Sequence, residues 1–239
     1  MKKILIIGCA VMVIIISGIF TNKIYSQNSG RLHVVSLGDS ITYGTGDPLK
    51  KGYTERFKEQ YTLQKGIPVH LDNFGVPKYT TEDLLEQLNN QKVMNKIQKA
   101  DYITLYIGTN DFRKSAERKF DTINIDNLEV GKNKYANNVN TILEKIRTET
   151  DAHVFVLGLY HPYTEFKNDQ QLLTLIHQWN EEINKTITQF EGTTFIPILD
   201  LFQNSPKEDY FADSLHPNSA GYQQIANRVL EKVLLYENN

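Results

Sequence analysis

The sequence predicts a three-layer α/β/α fold with a central five-stranded parallel sheet. Two observations lead to this prediction: short apolar segments alternate with longer segments of helical character, and residues typical of active sites follow the apolar segments. Strands that are joined by helices run parallel, and helices then cover both faces of the sheet. The chain has 239 residues, and the roughly 210 that follow the N-terminal segment are enough for one such domain.

Five short apolar runs are predicted to be the strands. The first has the continuous apolar character of a buried strand, and the third is rich in β-branched and aromatic residues. In chain order the predicted strands are residues 33–37, 69–74, 102–107, 153–159 and 194–198.

Helices are predicted between and after these strands. Thr80 is a hydroxyl cap with acidic residues in the following turn and a leucine face behind it, which is a typical helix start. The segment 133–148 has apolar residues at helical spacing. The other predicted helices are residues 53–64, 170–190 and 219–236. The polar segment 112–131 shows little periodicity, so it is expected to be either a lid facing the substrate or a surface excursion without a role.

The N-terminus predicts export. Residues 1–3 are positively charged, and residues 4–20 are almost continuously apolar, which is typical of a signal peptide or a membrane anchor. We therefore expect a signal peptide or anchor at 1–21, a polar tether at 22–30 and a single folded domain at 31–239. The protein would then be anchored on the outer face of the cytoplasmic membrane or secreted after cleavage. Cys9 resembles a lipid-attachment site, but most of the apolar run follows it, which favours a small apolar residue within the segment.

Charge and composition argue against several kinds of partner and cofactor. The formal net charge is −2 and no basic stripe is present, so nucleic acid is not an expected partner. Cys9 is the only cysteine, and no disulfide is expected in the domain. The histidines show no metal-ligand spacing, so neither a metal nor another cofactor is expected. We expect a monomer that contacts the membrane only through its N-terminal segment.

Candidate catalytic residues lie after the predicted strands. Ser40 follows the first strand on a Gly-Asp bend, and Asp213 precedes His216 by three residues in the loop after the fifth. Serine, histidine and aspartate in these roles form an acyl-transfer site, and Asn110 after the third strand can donate to an oxyanion. Gly75, after the second strand, offers a backbone N–H. Taken singly, a serine or asparagine beside glycine is also typical of a cap or a tight turn.

Four segments in this order resemble the SGNH hydrolases, the superfamily of GDSL-type esterases and lipases. They are Leu37–Gly44, Asn73–Gly75 with Thr80 and Thr81, Gly108–Asp111, and Asp213–Asn218 with Ala220–Tyr222. In many relatives a small residue and a glycine follow the glycine of the second segment, whereas this chain has Pro77 and Lys78. The resemblance therefore does not predict the shape of the acyl pocket.

The resemblance implies a flavodoxin-like fold and a serine ester hydrolase closest to exported bacterial GDSL-type lipases and acylhydrolases. It assigns catalysis to Ser40, His216 and Asp213, and the oxyanion hole to Ser40, Gly75 and Asn110. The expected substrates are acyl esters, including lysophospholipid-like lipids. An acetyl esterase acting on cell-wall or other polysaccharide is the alternative within the same chemistry. A tethered binding module without catalysis is the alternative from another class.

Overall fold

The computed structural model describes residues 30–203 and 205–238. The expected signal peptide or anchor at 1–21 lies outside these residues, as does the tether except for Gly30. Within the described part of the chain, none of the helices combines the length and apolarity needed to cross a membrane. The domain boundaries and the location of the protein therefore stay predictions.

The sheet is the predicted one: five strands, all parallel, in the order β2-β1-β3-β4-β5. Gly38 at the end of β1 pairs with Gly75 of β2 and with Tyr106 of β3, so three strands end level with one another. The strands are β1 Leu32–Gly38, β2 Val69–Gly75, β3 Tyr102–Tyr106, β4 His153–Leu157 and β5 Thr193–Ile196.

Helices fill the connections, as the alternation predicts. The structure has α1 Ser40–Tyr43, α2 Gly52–Lys65, α3 Thr81–Gln87, α4 Gln91–Ile97, α5 Thr109–Ser115, α6 Ile125–Arg147, α7 Asp169–Ile187, α8 Lys207–Tyr210 and α9 Ser219–Glu237. A short 3-10 helix, Leu199–Phe202, follows β5. Helix α3 begins at the predicted cap, where Asp83 Oδ2 accepts hydrogen bonds from the N–H and hydroxyl of Thr80 at 2.8 and 2.7 Å.

Two groups of helices pack against the sheet. Helix α2 contacts α9, whereas α6 contacts α3, α5 and α7. Every residue of β4 is buried, and so are six of the seven residues of β1. Strands that are buried on both faces require a helix layer on each side, which explains why these strands read as continuous apolar runs. The predicted three-layer α/β/α fold is confirmed.

The segment 112–131 is more regular than its sequence suggests. Helix α5 extends to Ser115 and α6 already begins at Ile125, so only residues 116–124 are irregular. Phe120 is buried within this stretch and stacks on Tyr163 with ring centroids 4.2 Å apart. The segment is therefore packed onto the domain. Helices α4 and α5 have seven residues each, which is too short for an apolar periodicity to stand out in the sequence.

Candidate active site

The turn that presents Ser40 depends on a close approach between β1 and β3. Gly38 has φ +146°, and a Cβ at this position would lie 1.9 Å from the Tyr106 carbonyl oxygen. Only glycine allows both the backbone conformation and the contact. Asp39 then caps α1 by accepting a hydrogen bond from the Ile41 N–H at 2.9 Å. Ser40 is therefore the first residue of a short helix at the carboxyl end of β1.

The structure brings together the three residues that the sequence assigns to proton transfer. The Ser40 hydroxyl oxygen lies 3.1 Å from His216 Nε2, and His216 Nδ1 lies 2.8 Å from Asp213 Oδ2. In this line the carboxylate accepts from the Nδ1–H, which leaves Nε2 unprotonated and able to accept the serine proton. The geometry is that of a serine nucleophile with a histidine base.

Asp213 also organises the loop that carries His216. Its Oδ1 accepts hydrogen bonds from the backbone N–H groups of Leu215 and His216, both at 2.7 Å. Partial burial alone would raise the pKa of Asp213, but the hydrogen bonds from His216 and Leu215 outweigh it and lower the pKa below its ordinary value. Asp213 is thus held in the ionised form that a histidine partner requires, although its side chain is 52% exposed.

Contacts that the sequence does not predict hold the same loop in place. The Tyr160 hydroxyl donates to the Leu215 carbonyl at 2.7 Å, and the Lys207 ammonium donates to the Ser214 carbonyl at 2.9 Å. Gly46 approaches from the other side, where a Cβ would lie 2.8 Å from the His216 Cβ. The position of His216 is therefore set by three separate segments. Nothing in the local sequence around these residues indicates that role, because the contacts arise only in the folded chain.

The predicted oxyanion donor Gly75 is not free in this structure. Its N–H donates to Asn73 Oδ1 at 2.8 Å, and the Asn73 amide is itself fixed by donating to the Thr42 carbonyl at 2.8 Å. A Cβ on Gly75 would lie 2.5 Å from the Tyr43 nitrogen. Gly75 is therefore required for the packing of β2 against α1, and its N–H already has an acceptor.

A neighbouring turn offers another backbone donor. The Val76 N–H donates to the Gly38 carbonyl at 3.0 Å, and the Asn110 side chain donates to the Tyr79 carbonyl at 3.0 Å, so residues 76–79 lie between the nucleophile turn and Asn110. Within this turn Lys78 has φ +73°, a left-handed conformation that usually belongs to glycine. Its N–H has no acceptor in the described part of the chain. Asn110 retains a second amide hydrogen.

Two further residues of the recognised segments have structural roles. The Asp111 carboxylate accepts from the Thr81 hydroxyl at 2.6 Å and from the Thr81 N–H at 3.1 Å. The amide of Asn138 donates to the same hydroxyl at 2.8 Å. These bonds tie the start of α3 to the loop after β3, and thereby keep the turn at 76–79 beside Asn110.

Asp39 is a buried acid next to Ser40. Its side chain is fully buried, and within the described residues Oδ2 has no hydrogen-bond partner. Burial raises the pKa of Asp39 to about 8, and the nearby Asp111 carboxylate acts in the same direction. At neutral pH the Asp39 carboxyl is therefore largely protonated, and it serves as a neutral cap for α1.

Asp39→Asn should make the stability of the protein less sensitive to pH. Because the pKa of Asp39 is higher in the folded chain than in the unfolded chain, the free energy of unfolding should fall as pH rises from about 4 to about 8. Asparagine resembles the protonated acid and does not titrate. Urea unfolding at about pH 5 and about pH 8 measures the effect. The same change at the exposed Asp121 is the control, and an equal pH dependence in Asp39→Asn and wild type would contradict the prediction.

A depression of about 1250 Å³ lies at the opposite, amino-terminal edge of the sheet. Leu32, Tyr102 and His153, at the starts of three strands, form part of its wall. None of the predicted site residues lines it. The predicted site residues therefore gather at the carboxyl edge, where the line from Ser40 to Asp213 lies, and not at this depression.

Comparison with known proteins finds matches that cover most of this chain. Residues 36–224 match the model of the GDSL-like lipase/acylhydrolase family. The spore germination lipase LipC of Bacillus licheniformis is 28% identical over 211 residues, which cover 83% of this chain and 94% of LipC. YpmR of Bacillus subtilis (strain 168) is 28% identical over 205 residues, which cover 84% of this chain and 80% of YpmR.

Solved structures show the same fold. The lipase Lip_vut3 from a goat rumen metagenome superposes with a TM-score of 0.70 at 26% identity, covering 83% of this chain and 95% of that lipase. The acetylxylan esterase Axe2 of Geobacillus stearothermophilus superposes with a TM-score of 0.67 at 14% identity, covering 84% of this chain and 94% of Axe2. At that identity Axe2 supports the fold alone. The family match extends over most of the chain, so this protein belongs to the GDSL-like lipase/acylhydrolase family and is a hydrolase of ester bonds.

Proposed function

We propose that this protein is a serine carboxylic-ester hydrolase that works through an acyl-enzyme intermediate. The observation that supports this most directly is the hydrogen-bonded line from Ser40 through His216 to Asp213. A serine alone has no activated form at neutral pH, whereas a serine whose hydroxyl contacts an oriented imidazole has a base at hand. The non-catalytic alternative would have no need for this alignment.

The reaction follows from the positions of these atoms. The Ser40 oxygen attacks the ester carbonyl while its proton passes to His216 Nε2, and Asp213 stabilises the resulting imidazolium. Collapse of the tetrahedral intermediate breaks the ester bond, and His216 returns the proton to the departing alcohol. Water then attacks the acyl-serine and gives its proton to His216. When this second tetrahedral intermediate collapses, His216 passes that proton to the departing Ser40 oxygen, and the carboxylic acid is released.

The oxyanion donors in this proposal are the Ser40 N–H, the Asn110 amide and the Lys78 N–H. Lys78 takes the place that the sequence assigned to Gly75, because the Gly75 N–H is bonded to Asn73. The turn with Lys78 touches both the Gly38 carbonyl and Asn110, which puts its unpaired N–H in the same part of the molecule as the other two donors. Donors that are fixed before the reaction stabilise the developing charge without reorganisation.

Asn110→Ala should lower kcat by about 10²–10³ if the amide donates to the oxyanion. Asn137→Ala is the control, because Asn137 is an exposed asparagine of α6 that takes no part in the hydrogen bonds around Thr81 and the turn at 76–79. Steady-state kinetics on a p-nitrophenyl ester separates kcat from KM. A loss in KM alone would assign Asn110 to substrate positioning, and an equal loss of kcat in both variants would indicate a general structural effect.

For the substrate we propose esters with an apolar acyl chain, as in lysophospholipid-like lipids. Tyr43 and Leu49 follow the nucleophile closely in the chain, and their side chains are 52% and 64% exposed. Exposed apolar side chains of this size next to an active site offer contacts to an acyl chain. The relatives LipC and Lip_vut3, both named lipases, agree with this choice.

A panel of substrates tests this assignment. Purified protein is given p-nitrophenyl esters of increasing acyl length, a lysophospholipid and an acetylated xylo-oligosaccharide, and kcat/KM is compared across the panel. We expect kcat/KM to increase beyond the acetyl ester. Activity that is highest on the acetylated sugar would favour the polysaccharide alternative, and absence of hydrolysis of every ester would contradict the proposed reaction itself.

A further inference from the structure

A second cluster of reactive side chains lies on β1 and β2, away from the catalytic edge. It consists of His33, His70 and Asp72, whose nearest ligand atoms all lie within 4.8 Å of one another. In the parallel pairing His33 aligns with His70 and Val35 aligns with Asp72, so the three side chains project from the same face. The expectation of no metal site rests on spacing along the sequence, whereas this cluster joins residues of two neighbouring strands.

The contacts within the cluster centre on one carboxylate oxygen. Asp72 Oδ2 lies 2.7 Å from His33 Nε2 and 3.2 Å from His70 Nε2. The two imidazole rings lie against each other with centroids 4.6 Å apart. Imidazole nitrogens and carboxylate oxygens are ligand atoms that zinc takes in proteins.

His33 has an acceptor at each ring nitrogen. Its Nδ1 lies 3.0 Å from the Lys99 carbonyl oxygen, and its Nε2 lies 2.7 Å from the Asp72 carboxylate. A neutral imidazole carries one N–H, so it satisfies only one of these acceptors. If Nδ1–H donates to the carbonyl, the lone pair of Nε2 faces a carboxylate, and a cation between them removes the conflict. A backbone carbonyl on the other ring nitrogen is the usual support of a metal-binding histidine.

We propose that His33 Nε2, His70 Nε2 and Asp72 Oδ2 bind a zinc ion. In a tetrahedral zinc site with bonds of about 2.0–2.1 Å, neighbouring ligand atoms lie about 3.3 Å apart. The His70–Asp72 distance of 3.2 Å already meets this spacing, and the His33–Asp72 distance of 2.7 Å needs to open by about 0.6 Å. Imidazole donors select zinc over calcium or magnesium, which prefer oxygen ligands.

The surroundings of the cluster leave room for a fourth ligand. The His70 side chain is 43% exposed, so a water molecule has access from the solvent side. Lys96 is the one unfavourable neighbour identified in the described residues, since its ammonium lies 3.1 Å from Asp72 Oδ1. Lys96 is itself 40% exposed on a flexible stem, so it can move away when a dication binds. The ion would join β1 to β2 and add its binding free energy to the stability of the fold.

Zinc titration of the full-length protein tests the site. The purified protein is treated with a chelator, dialysed and titrated with Zn²⁺ by calorimetry at neutral pH. We expect saturable binding to wild type and a loss of at least about tenfold in affinity at this site in His70→Gln. Because His70 is partly exposed, this change should leave the fold intact, which circular dichroism checks. Zinc should also raise the melting temperature of wild type more than that of His70→Gln.

Two other variants make the result specific. His177→Gln is the matched control, because His177 faces Glu181 at 3.5 Å on the surface of α7 and offers an ordinary histidine–carboxylate pair. It should bind zinc like wild type, whereas Lys96→Met should bind more tightly once the competing ammonium is gone. Equal zinc affinity in wild type and His70→Gln would overturn the proposal. So would protons on both ring nitrogens of His33 in NMR spectra of the zinc-saturated protein.

Discussion

Ser40→Ala is expected to reduce kcat for ester hydrolysis by about four orders of magnitude or more. The hydroxyl that lies 3.1 Å from His216 Nε2 is the only group in this line that can form the acyl bond. Without this hydroxyl, the oxyanion donors and the substrate-binding contacts can assist only the direct attack of water on the ester carbonyl. The measurement is kcat on a short p-nitrophenyl ester, with active-site titration of wild type to confirm the enzyme concentration.

Ser214→Ala is the matched control for this loss. Ser214 lies between Asp213 and His216, its side chain is exposed, and only its backbone carbonyl bonds Lys207. The variant should therefore keep wild-type activity, since the carbonyl remains. Turnover of Ser40→Ala within tenfold of wild type would remove Ser40 from its role, whereas a large loss in both variants would point to damage of the loop.

Asp213→Asn is expected to lower kcat by about 10³–10⁴ while leaving the loop intact. Asparagine keeps an oxygen that can accept from the backbone N–H groups of Leu215 and His216, which the aspartate does at 2.7 Å. The NH2 group that then stands in place of Oδ2 cannot accept from His216 Nδ1–H, so the imidazole loses the partner that fixes the productive tautomer. Asp213→Asn should therefore lower kcat far more than it lowers the free energy of unfolding.

Asp213→Ala separates the two roles of this carboxylate. Alanine removes the acceptor for the backbone N–H groups as well, so we expect a loss of stability in addition to the loss of activity. Asp209→Asn, an exposed acid in α8, is the control and should be close to wild type. If Asp213→Asn keeps more than a tenth of wild-type kcat, the carboxylate does not orient His216 during the reaction.

The sequence predicted those parts of the molecule that depend on neighbours in the chain. Apolar strands and a capped helix are local patterns, and the Gly38–Ser40 bend and the spacing from Asp213 to His216 are local as well. In the sequence, glycine at position 75 suggests an open backbone N–H. Its acceptor, the side chain of Asn73, becomes evident only once the end of β2 is folded.

Other features depend on conformation or on contacts distant in the chain. Lysine at position 78 gives no sign of a left-handed backbone, since most lysines avoid it. The contact of Lys207 with the Ser214 carbonyl and the pairing of His33 with His70 both arise between separate segments. The stacking of Phe120 on Tyr163 is another contact between separate segments, and it packs part of the polar segment 112–131 onto the domain.

The distance along the chain between the nucleophile and its base has a consequence for biosynthesis. Ser40 and His216 are 176 positions apart, and the sheet that carries Ser40 is complete at β5, before the histidine is reached. In the proposed mechanism the nucleophile is therefore made early and its base late. Until the segment with Asp213 and His216 has been synthesised and has folded against the sheet, Ser40 has no proton acceptor from this line, so the growing chain should not hydrolyse esters.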